Sequence, residues 1–368
     1  LIVPGEDDKI ERDGRRIRVE IKSPQVPGSP NYRLLLRSRA VYRALEEIKP
    51  DLIECQDAYN LPWTTLFYRK KHPNTALVAG YHTDFPNVYV EKYLRPRFGE
   101  WSARFMKWLS YRYASNLYGR FDAFYTLTQI AAEHFGALGV QDPHILTMGA
   151  DTNLFGKAVR DEAMRTSLGV DPSAPLLIYA GRIDKEKRAR VVVDAFKKLP
   201  SNWGAALVML GEGKEKDALA AECAGLNAHF PGYVDDRESL AKYLASSDIY
   251  VSAMEDETFG ISVIEAQAAG LPVVGVRAGA MTDRVPPTLG RLGPRGDADA
   301  MAANIAAVWM DRLSKMGERA RRHALANFSW PKTFETLFFE IYPYALERRS
   351  KSALERFHRV EPSRVKVG

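Results

Sequence analysis

Short apolar runs alternate with longer helical segments along the whole of this 368-residue chain. This alternation is typical of parallel β-sheets flanked by helices, because parallel strands are buried on both faces and need a crossover helix between them. Helical periodicity is clearest over residues 34–48 and 99–119. The runs that we predict to be strands are Leu1–Pro4, Ile17–Lys22, Asp51–Cys55, Ala76–Tyr81, Asp122–Leu127, His144–Thr147, Leu176–Ala180, Ala205–Leu210, Ala228–Pro231, Asp248–Val251 and Pro272–Val276.

A stretch rich in glycine, proline and serine interrupts this pattern at residues 149–175. The chain is also too long for one hydrophobic core, which stops growing at about 250–300 residues. We therefore predict an α/β fold of two Rossmann-like domains that face each other across a cleft. The predicted domains are residues 1–150 and 151–330, with a C-terminal helix at 331–368 that packs back toward the first.

The composition indicates the cellular compartment and the class of binding partner. A formal net charge of +6 and a pI of about 9.1 favour an anionic partner: a phosphate, a nucleic acid or an acidic lipid surface. The two cysteines, Cys55 and Cys223, lie in different predicted domains, so we expect a reducing, cytoplasmic compartment. No apolar run reaches the ~18–20 residues of a spanning helix, and no signal peptide opens the chain. Leu1–Pro4 resembles a strand that has already begun, which suggests a missing N-terminal piece.

Residues 248–274 follow the pattern strand, loop, helix, turn, strand. Phe259-Gly260-Ile261-Ser262 then lies at the N-terminus of the helix, where unpaired backbone N–H groups and the helix dipole attract anions. The loop also follows the carboxyl end of a strand, which is where open α/β sheets bind their ligands. Alone, such a motif more often marks a helix that merely starts with glycine, so the prediction of an anion site depends on the surrounding residues.

Two carboxylates accompany this helix start, Glu257 in the loop and Glu265 inside the helix. Carboxylates accept hydrogen bonds from neighbouring hydroxyls, which suits one to a ribose and the other to a sugar ring. Glu265 lies between Val263-Ile264 and Ala266, so we expect it to be buried and partnered rather than solvated on the helix surface.

Two cations follow an earlier strand, in Gly181-Arg182-Ile-Asp-Lys-Glu-Lys187. A guanidinium at Arg182 can grip a diphosphate with two hydrogen bonds, and Lys187 adds a point charge before the next helix. Basic residues after a strand are commonly just a solvated loop. Combined with the residues around Gly260, however, they predict a site that neutralises a leaving diphosphate without a metal.

This ordered series resembles glycosyltransferase family 4, a large family of retaining enzymes with the GT-B fold. The resemblance covers almost the whole second half of the chain. It rests on Gly181-Arg182-x4-Lys187, Leu210-Gly-Glu-Gly213, Gly232-Tyr-Val, Asp248-Ile-Tyr-Val-Ser, Glu257-x7-Glu265 and Gly270-Leu-Pro-Val-Val.

The resemblance implies a role for each position in the second half. Nucleotide-sugar binding is divided among phosphate-binding, sugar-binding and base-binding groups. By that resemblance Gly181 belongs to the donor site, Arg182 and Lys187 bind the diphosphate, Gly260, Ile261 and Ser262 offer backbone groups to the phosphates, Glu257 holds the transferred sugar, Glu265 holds the ribose, and Tyr233 and Val234 contact the base.

In the first half, Tyr81-His82-Thr83-Asp84-Phe85-Pro86 follows an apolar strand. A lone histidine is usually structural. The wording His-Thr-Asp-Phe-Pro nevertheless resembles family members that transfer mannose or glucose to lipids and saccharides, in which a histidine here contacts the donor sugar. We therefore predict that His82 is an active-site residue, with Asp84 as a weaker candidate.

Residues 92–120 combine basic and aromatic side chains with a single acid, Glu100. Such a helix lies in an anionic membrane surface or, equally, packs its aromatic side against a core. The basic residues are Lys92, Arg95, Arg97, Arg104, Lys107, Arg112 and Arg120, and interleaved with them are the aromatic residues Trp101, Phe105, Trp108 and Tyr111, among others.

The predicted activity is a retaining transfer of a hexose, mannose or glucose, from a UDP- or GDP-sugar to a lipid or saccharide. No paired carboxylates suited to a double displacement can be located, so the resemblance favours front-face attack assisted by the leaving phosphate. We expect no cofactor, no metal and no nucleic-acid partner, and a cytoplasmic location that extends to the inner face of the membrane.

Other activities compete with this prediction. A sugar-nucleotide epimerase of the same fold and a non-catalytic lipid- or nucleic-acid-binding protein remain open. A metal-dependent transferase would use Glu255-Asp256-Glu257, and a dehydrogenase is disfavoured because Gly211-Glu-Gly213 lacks a third glycine. By the resemblance, we expect that an N-terminal strand and glycine-rich loop are missing from the sequence before Leu1, and Gly279-Ala280 stands where the family commonly has Gly-Gly.

Overall fold

The structure, a computed structural model, describes the backbone of residues 1–26, 29–312 and 315–360, and within these the side chains other than those of 29–32, 88–89, 91–93 and 353–360. The strands are β1 Ile2–Gly5, β2 Lys9–Asp13, β3 Arg16–Lys22, β4 Gln25–Val26, β5 Ser29–Arg33, β6 Leu52–Cys55, β7 Ala76–Tyr81, β8 Ala123–Thr126, β9 His144–Ile145, β10 Leu176–Ala180, β11 Ala206–Leu210, β12 Ala228–Gly232, β13 Ile249–Val251, β14 Val273–Val276 and β15 Gly290–Gly293. The helices are α1 Ser38–Ile48, α2 Leu61–Lys71, α3 Lys92–Tyr118, α4 Gln129–Ala137, α5 Thr152–Lys157, α6 Glu162–Ser167, α7 Ala189–Lys197, α8 Lys216–Glu222, α9 Arg237–Ser246, α10 Ile261–Ala268, α11 Met281–Arg284, α12 Ala298–Met310, α13 Met316–Asn327, α14 Trp330–Thr336 and α15 Tyr342–Val360.

The chain forms two compact units, which we call the first and the second unit. The chain passes between them more than once, so neither unit is one continuous segment. The first comprises Leu1–Thr126, Ala131–Ile145 and Thr336–Gly368, and the second comprises Leu127–Ile130 and Leu146–Glu335.

The first unit is built on a parallel sheet of four strands in the order β6-β7-β8-β9. Its central strand β7 is buried along its whole length, as expected for a parallel strand covered on both faces. A smaller sheet has the order β1-β3-β2, in which β2 is antiparallel to β3. The C-terminal helix α15 packs on the larger sheet, where Arg349 pairs with the buried Asp122 at 3.4 Å.

The second unit is built on a parallel sheet of six strands in the order β12-β11-β10-β13-β14-β15. Numbered from β10, this is the Rossmann order 3-2-1-4-5-6, in which the direction of winding reverses between the first and the fourth strand. The switch point therefore lies between β10 and β13, which pair through Leu177 with Ile249 and Ile178 with Tyr250. Helices α7 and α12 pack together and bury their apolar faces against this sheet.

The predicted α/β class and parallel sheets are confirmed, and most predicted strands are found within two residues of their predicted ends. The strands β2 and β15 and the β4–β5 hairpin were not predicted. Strand β2 (Lys-Ile-Glu-Arg-Asp) is exposed throughout, and β15 (Gly-Arg-Leu-Gly) is short, so neither contains an apolar run. Among the helices that the structure describes, none combines the length and apolar character needed to cross a membrane.

Candidate active site

The switch point of the second unit brings together the two segments predicted to bind a diphosphate. The loop 181–188 leaves the carboxyl end of β10, and the loop 252–260 leaves the carboxyl end of its neighbour β13. In an open α/β sheet this is the place where ligands bind, because the loops diverge there and leave a crevice. The site is therefore defined by topology as well as by the motifs.

Glycines allow the loop after β10 to lie directly against the loop after β11. Gly181 N donates to Leu210 O at 2.9 Å, and Ile183 N donates to Glu212 O at 2.9 Å. A β-carbon at Gly211 would lie 1.9 Å from Gly181 O, so no other residue fits at this position without moving the backbone. The backbone that carries the predicted phosphate-binding cations is thus fixed by its neighbour.

Lys187, Glu257 and Gly260 form one contiguous cluster at the start of α10. Lys187 Nζ lies 3.5 Å from one carboxylate oxygen of Glu257, and the other oxygen accepts a hydrogen bond from Gly260 N at 3.0 Å. Both side chains are largely buried, with exposed fractions of 24% and 17%. The Glu257 carboxylate thus engages the ammonium group and the helix N-terminal amide, the two kinds of group that bind phosphate.

Arg182 has its side chain directed to carboxylates of its own loop. Its guanidinium lies 2.6 Å from Asp184 and 3.1 Å from Glu186, and it is more than half exposed. Asp184 also accepts a hydrogen bond from Lys187 N at 3.0 Å. One carboxylate therefore accepts hydrogen bonds from the Arg182 guanidinium and from the backbone amide of Lys187, and fixes both residues within this loop.

The N-terminus of α10 has the backbone that the sequence predicted. Gly260 has φ 83° and ψ 51°, a left-handed conformation that strains other residues. The Ser262 hydroxyl lies 2.9 Å from the phenol of Tyr250 on β13, which fixes the first turn to the sheet. The side chain of Ile261 is exposed.

Glu265 is buried, as predicted, and has one charged partner. Its carboxylate accepts a hydrogen bond from Arg237 at 2.7 Å, and that guanidinium stacks on the ring of Phe155 at 4.9 Å. Burial raises the pKa of Glu265 above its usual value, although Arg237 opposes the rise. The carboxylate is thus held in a desolvated position where an added hydroxyl donor would stabilise its charge.

The residues predicted to contact a base lie after β12. Gly232 has φ 90°, and a β-carbon there would lie 2.6 Å from Glu212 Oε1, whose carboxylate pairs with Lys216. Tyr233 is largely exposed, with 72% of its surface accessible, and Val234 is half-buried. An exposed aromatic ring beside a glycine turn can stack on a planar base.

Arg284 holds the loop in front of α10 in a way that the sequence did not indicate. Its guanidinium is buried between the rings of Phe259 and Phe328, at 4.5 and 4.9 Å. It donates to Phe259 O at 3.1 Å and to Leu127 O at 2.7 Å. Burial lowers the pKa of Arg284 to about 10. This buried cation therefore anchors the residue that precedes Gly260.

In the first unit, His82 follows β7 as predicted and belongs to a hydrogen-bond chain. Its Nε2 lies 3.1 Å from the phenol oxygen of Tyr125, and Tyr125 in turn donates to Glu54. Tyr342 donates to the other oxygen of that carboxylate at 2.5 Å. Burial lowers the pKa of His82, which favours the neutral imidazole.

Asp84 lies in a different environment from His82. Its carboxylate accepts hydrogen bonds from Tyr81 at 2.9 Å, from Tyr111 at 2.8 Å and from the side chain of Asn87. These contacts join the end of β7 to α3. They give Asp84 a part in shaping the loop that follows His82.

Three aromatic residues of α3 face away from the core, whereas Tyr118 on the same helix is buried in it. Trp101 is 89% exposed, Phe105 58% and Trp108 56%, whereas Ala103 on the same helix is buried. A core-facing aromatic stripe, which the sequence left open, is therefore wrong for these three residues. Gly99, at the start of the predicted helical stretch 99–119, has φ 79° and interrupts α3. The side chain of Lys92 lies outside the described residues.

No cluster of three or more metal-ligating side chains occurs in the part of the chain that the structure describes. In the acidic run after β13, Glu255 pairs with Arg188 at 3.4 Å while Glu257 contacts Lys187. The two glutamates thus serve different cations.

Comparisons with known proteins agree with this architecture. The family model described as Glycosyltransferase Family 4 matches residues 1–154, and the model described as Glycosyl transferases group 1 matches residues 160–324. A GDP-mannose-dependent alpha-mannosyltransferase of Mycobacterium tuberculosis is 30% identical over 91% of this chain and 84% of its own length. A GDP-mannose-dependent alpha-(1-6)-phosphatidylinositol dimannoside mannosyltransferase of the same species is 26% identical over 95% of this chain and 88% of its own length.

Solved structures show the same fold. Sucrose-phosphate synthase from Thermosynechococcus elongatus has a TM-score of 0.70 at 19% identity, over 92% of this chain and 86% of the other. Anabaena HepE in complex with UDP has a TM-score of 0.68 at 20% identity, over 83% and 82%. The two Rossmann-like domains, predicted from the alternation of strands and helices, and the GT-B fold, predicted from the resemblance, are confirmed.

The fold and the matched families define an enzyme that transfers a sugar from a nucleotide-sugar donor. The chain belongs to glycosyltransferase family 4.

Proposed function

We propose that this enzyme transfers a hexose, mannose or glucose, from a GDP- or UDP-sugar to a lipid or saccharide acceptor with retention of configuration. The observation that carries the proposal is the cluster of Lys187, Glu257 and Gly260 at the switch point of the second unit. An ammonium group and a helix N-terminus there can take a diphosphate, and a carboxylate beside them can take sugar hydroxyls.

The donor and acceptor classes are inferred from the relatives. Two of them are GDP-mannose-dependent mannosyltransferases, and one acts on a phosphatidylinositol dimannoside. Another relative, from Arabidopsis thaliana, is a sulfoquinovosyl transferase that is 29% identical over 85% of this chain. The chain covers 60% of that plant protein, so the mannosyltransferases are the better guide to the donor.

The proposed reaction is a front-face displacement. The bond between the anomeric carbon and the diphosphate oxygen breaks while the acceptor oxygen bonds to the same face of that carbon. The acceptor proton passes to the leaving phosphate, so no cofactor and no metal is required. Lys187 and Arg182 stabilise the charge that develops on the diphosphate, and Glu257 holds the transferred hexose through its hydroxyls. We propose His82 as a residue that contacts the substrate.

We also propose that α3 places the enzyme on an anionic membrane surface. Trp101, Phe105 and Trp108 recur at helical spacing and are all exposed, and basic residues flank them along the helix. An exposed aromatic stripe with neighbouring cations is the arrangement that binds the interface of acidic bilayers. The enzyme would then bind a lipid acceptor at the membrane that contains it.

A product assay tests the proposed reaction. The enzyme is incubated with GDP-mannose, GDP-glucose, UDP-glucose or UDP-galactose, each with and without phosphatidylinositol vesicles or short mannose and glucose oligosaccharides, in the presence of a chelator. We expect one GDP- or UDP-hexose to give a product that requires the added acceptor and has the anomeric configuration of the donor. An epimerised nucleotide sugar formed without acceptor, or an inverted product, would contradict the proposal.

A further inference from the structure

The hydrogen-bond chain that begins at His82 has a direction, which follows from counting its protons. Glu54 accepts from three groups: the phenols of Tyr125 and Tyr342 and the side-chain amide of Gln56, the last at 3.0 Å. A carboxylate can only accept hydrogen bonds, so each phenol donates its one hydrogen to Glu54. Burial raises the pKa of Tyr125, and the charge of Glu54 raises it further, so this phenol keeps its proton.

His82 must then be the donor to Tyr125. The phenol oxygen of Tyr125 has no second hydrogen, and Nε2 of His82 lies 3.1 Å from it. If Nε2 carried only its lone pair, two lone pairs would face each other at hydrogen-bonding distance, which is repulsive. The neutral imidazole therefore carries its proton on Nε2, and Nδ1 is left as an acceptor.

The packing around this contact is specific. The rings of His82 and Tyr125 meet edge to face, with centroids 5.6 Å apart and planes at 88°. A β-carbon on Gly80 would lie 2.5 Å from the phenol oxygen and 2.8 Å from Nε2 of His82. Glycine at this position of β7 therefore leaves the space in which the two groups meet. Within the part of the chain that the structure describes, Nδ1 of His82 has no protein hydrogen-bond partner, and the side chain is half-buried.

We propose that Tyr125 is a positioning residue that fixes His82 in its Nε2–H tautomer, so that Nδ1 accepts a hydrogen bond from a substrate hydroxyl. The positioning of His82 stands on the contacts within the first unit, whereas its consequence for catalysis rests on the proposed function. In the opposite tautomer, Nδ1 would donate instead, and it could no longer accept a hydrogen bond from a hydroxyl group.

The test reads the tautomer directly. The seven histidines are labelled with 15N, the His82 signals are assigned with a His82→Gln variant, and spectra are recorded at about pH 8, above the usual pKa of ~6.5. We expect His82 to show a protonated Nε2 and an unprotonated Nδ1. A protonated Nδ1 in the unmodified enzyme would overturn the proposal without any need for an activity measurement.

Two variants that each lack one phenol hydroxyl distinguish an effect on the positioning of His82 from a general loss of stability. Tyr125→Phe removes the oxygen that accepts from His82, whereas Tyr342→Phe removes an equivalent donor to Glu54 that does not touch the imidazole. We expect both tautomers to appear in Tyr125→Phe, with kcat for sugar transfer lowered about tenfold and KM for the donor little changed. Tyr342→Phe should keep the Nε2–H form and most of the activity. The same tautomer in both variants would contradict the role of Tyr125. An enzyme with the expected tautomer but no transferase activity would instead contradict the proposed function.

Discussion

Lys187 and Glu257 lie within 3.5 Å of each other at the switch point of the second unit, and the same carboxylate accepts the amide hydrogen of Gly260. The protein thus directs an anion of its own to the groups that we assign to the diphosphate. When a nucleotide sugar binds, its phosphates have to share or replace these contacts. For this reason, we predict that the loss of the Glu257 charge has opposite effects on nucleotide binding and on sugar transfer.

Replacing Glu257 with glutamine should affect product binding and turnover in opposite directions. The neutral amide no longer competes for Lys187, so GDP or UDP should bind up to about tenfold more tightly, in line with ~1 kcal/mol for a partly exposed ion pair. Sugar transfer should fall about 100-fold or more, because the amide is a poorer acceptor for sugar hydroxyls. Calorimetry and initial rates measure the two effects. Glu255→Gln is the matched control, since Glu255 pairs with Arg188 and should change neither quantity.

Alanine substitutions at the two glycines that flank α10 can distinguish an effect of backbone strain from an effect on ligand binding. Gly260 and Gly270 both have positive φ, 83° and 92°, so alanine at either should cost about 1–2 kcal/mol of stability. Only at Gly260 would the new β-carbon contact Glu257, at 3.4 Å from its Cγ. Gly260→Ala should weaken nucleotide binding beyond Gly270→Ala, as measured by calorimetry at a temperature where both variants are folded. Equal affinities of the two variants for the nucleotide would contradict the assignment of Gly260 to the binding site.

The buried carboxylate of Glu265 should make stability depend on pH. Because burial raises its folded pKa above 4.5, its favourable contribution is complete below the unfolded pKa and is lost as the pH rises through the folded pKa. Glu265→Gln avoids this loss and can still accept from Arg237. The variant should therefore melt about 2–4 °C above the parent at pH 7 and close to it at pH 4. Its affinity for the nucleotide sugar should fall, and an unchanged affinity would contradict the ribose assignment.

The exposed aromatic stripe of α3 should bind vesicles in proportion to their negative charge. Flotation with anionic vesicles should recover the enzyme, and recovery should fall at high salt or with neutral lipid. Serine at Trp101, Phe105 and Trp108 should abolish recovery with little loss of stability, because these side chains are exposed. A control variant with serine at Val159 and Met310, which are exposed in the second unit, should float like the parent. Recovery that is independent of lipid charge would contradict the membrane surface.

The sequence predicted the strands and the helix start well where the signal is local. Buried parallel strands such as β7 and β10 are continuous apolar runs, and the left-handed backbone at Gly260 requires glycine, so both features are visible in the residues themselves. Exposed elements such as β2 carry no apolar signal and were missed.

Long-range partners could not be predicted, because nothing local specifies them. Arg237 pairs with Glu265 across 28 positions and Arg284 reaches Leu127 across 157, and each looks like an ordinary basic residue in its own segment. The orientation of α3 was open for a related reason: its periodicity shows that three aromatic residues share a face, but not whether that face is buried. The two carboxylates that pair with Arg182, Asp184 and Glu186, lie within the same motif. Their negative charge next to an arginine could therefore have predicted these ion pairs.

The most direct test of the account is the affinity of GDP and UDP for two lysine variants of one loop. Lys187→Ala and Lys185→Ala remove the same charge, but only Lys187 contacts Glu257, and Lys185 is exposed. We predict that calorimetry will show about 10- to 100-fold weaker binding for Lys187→Ala, the loss of one charged hydrogen bond, and a change of less than about twofold for Lys185→Ala. Equal affinities in the two variants would contradict the assignment of the diphosphate to this site.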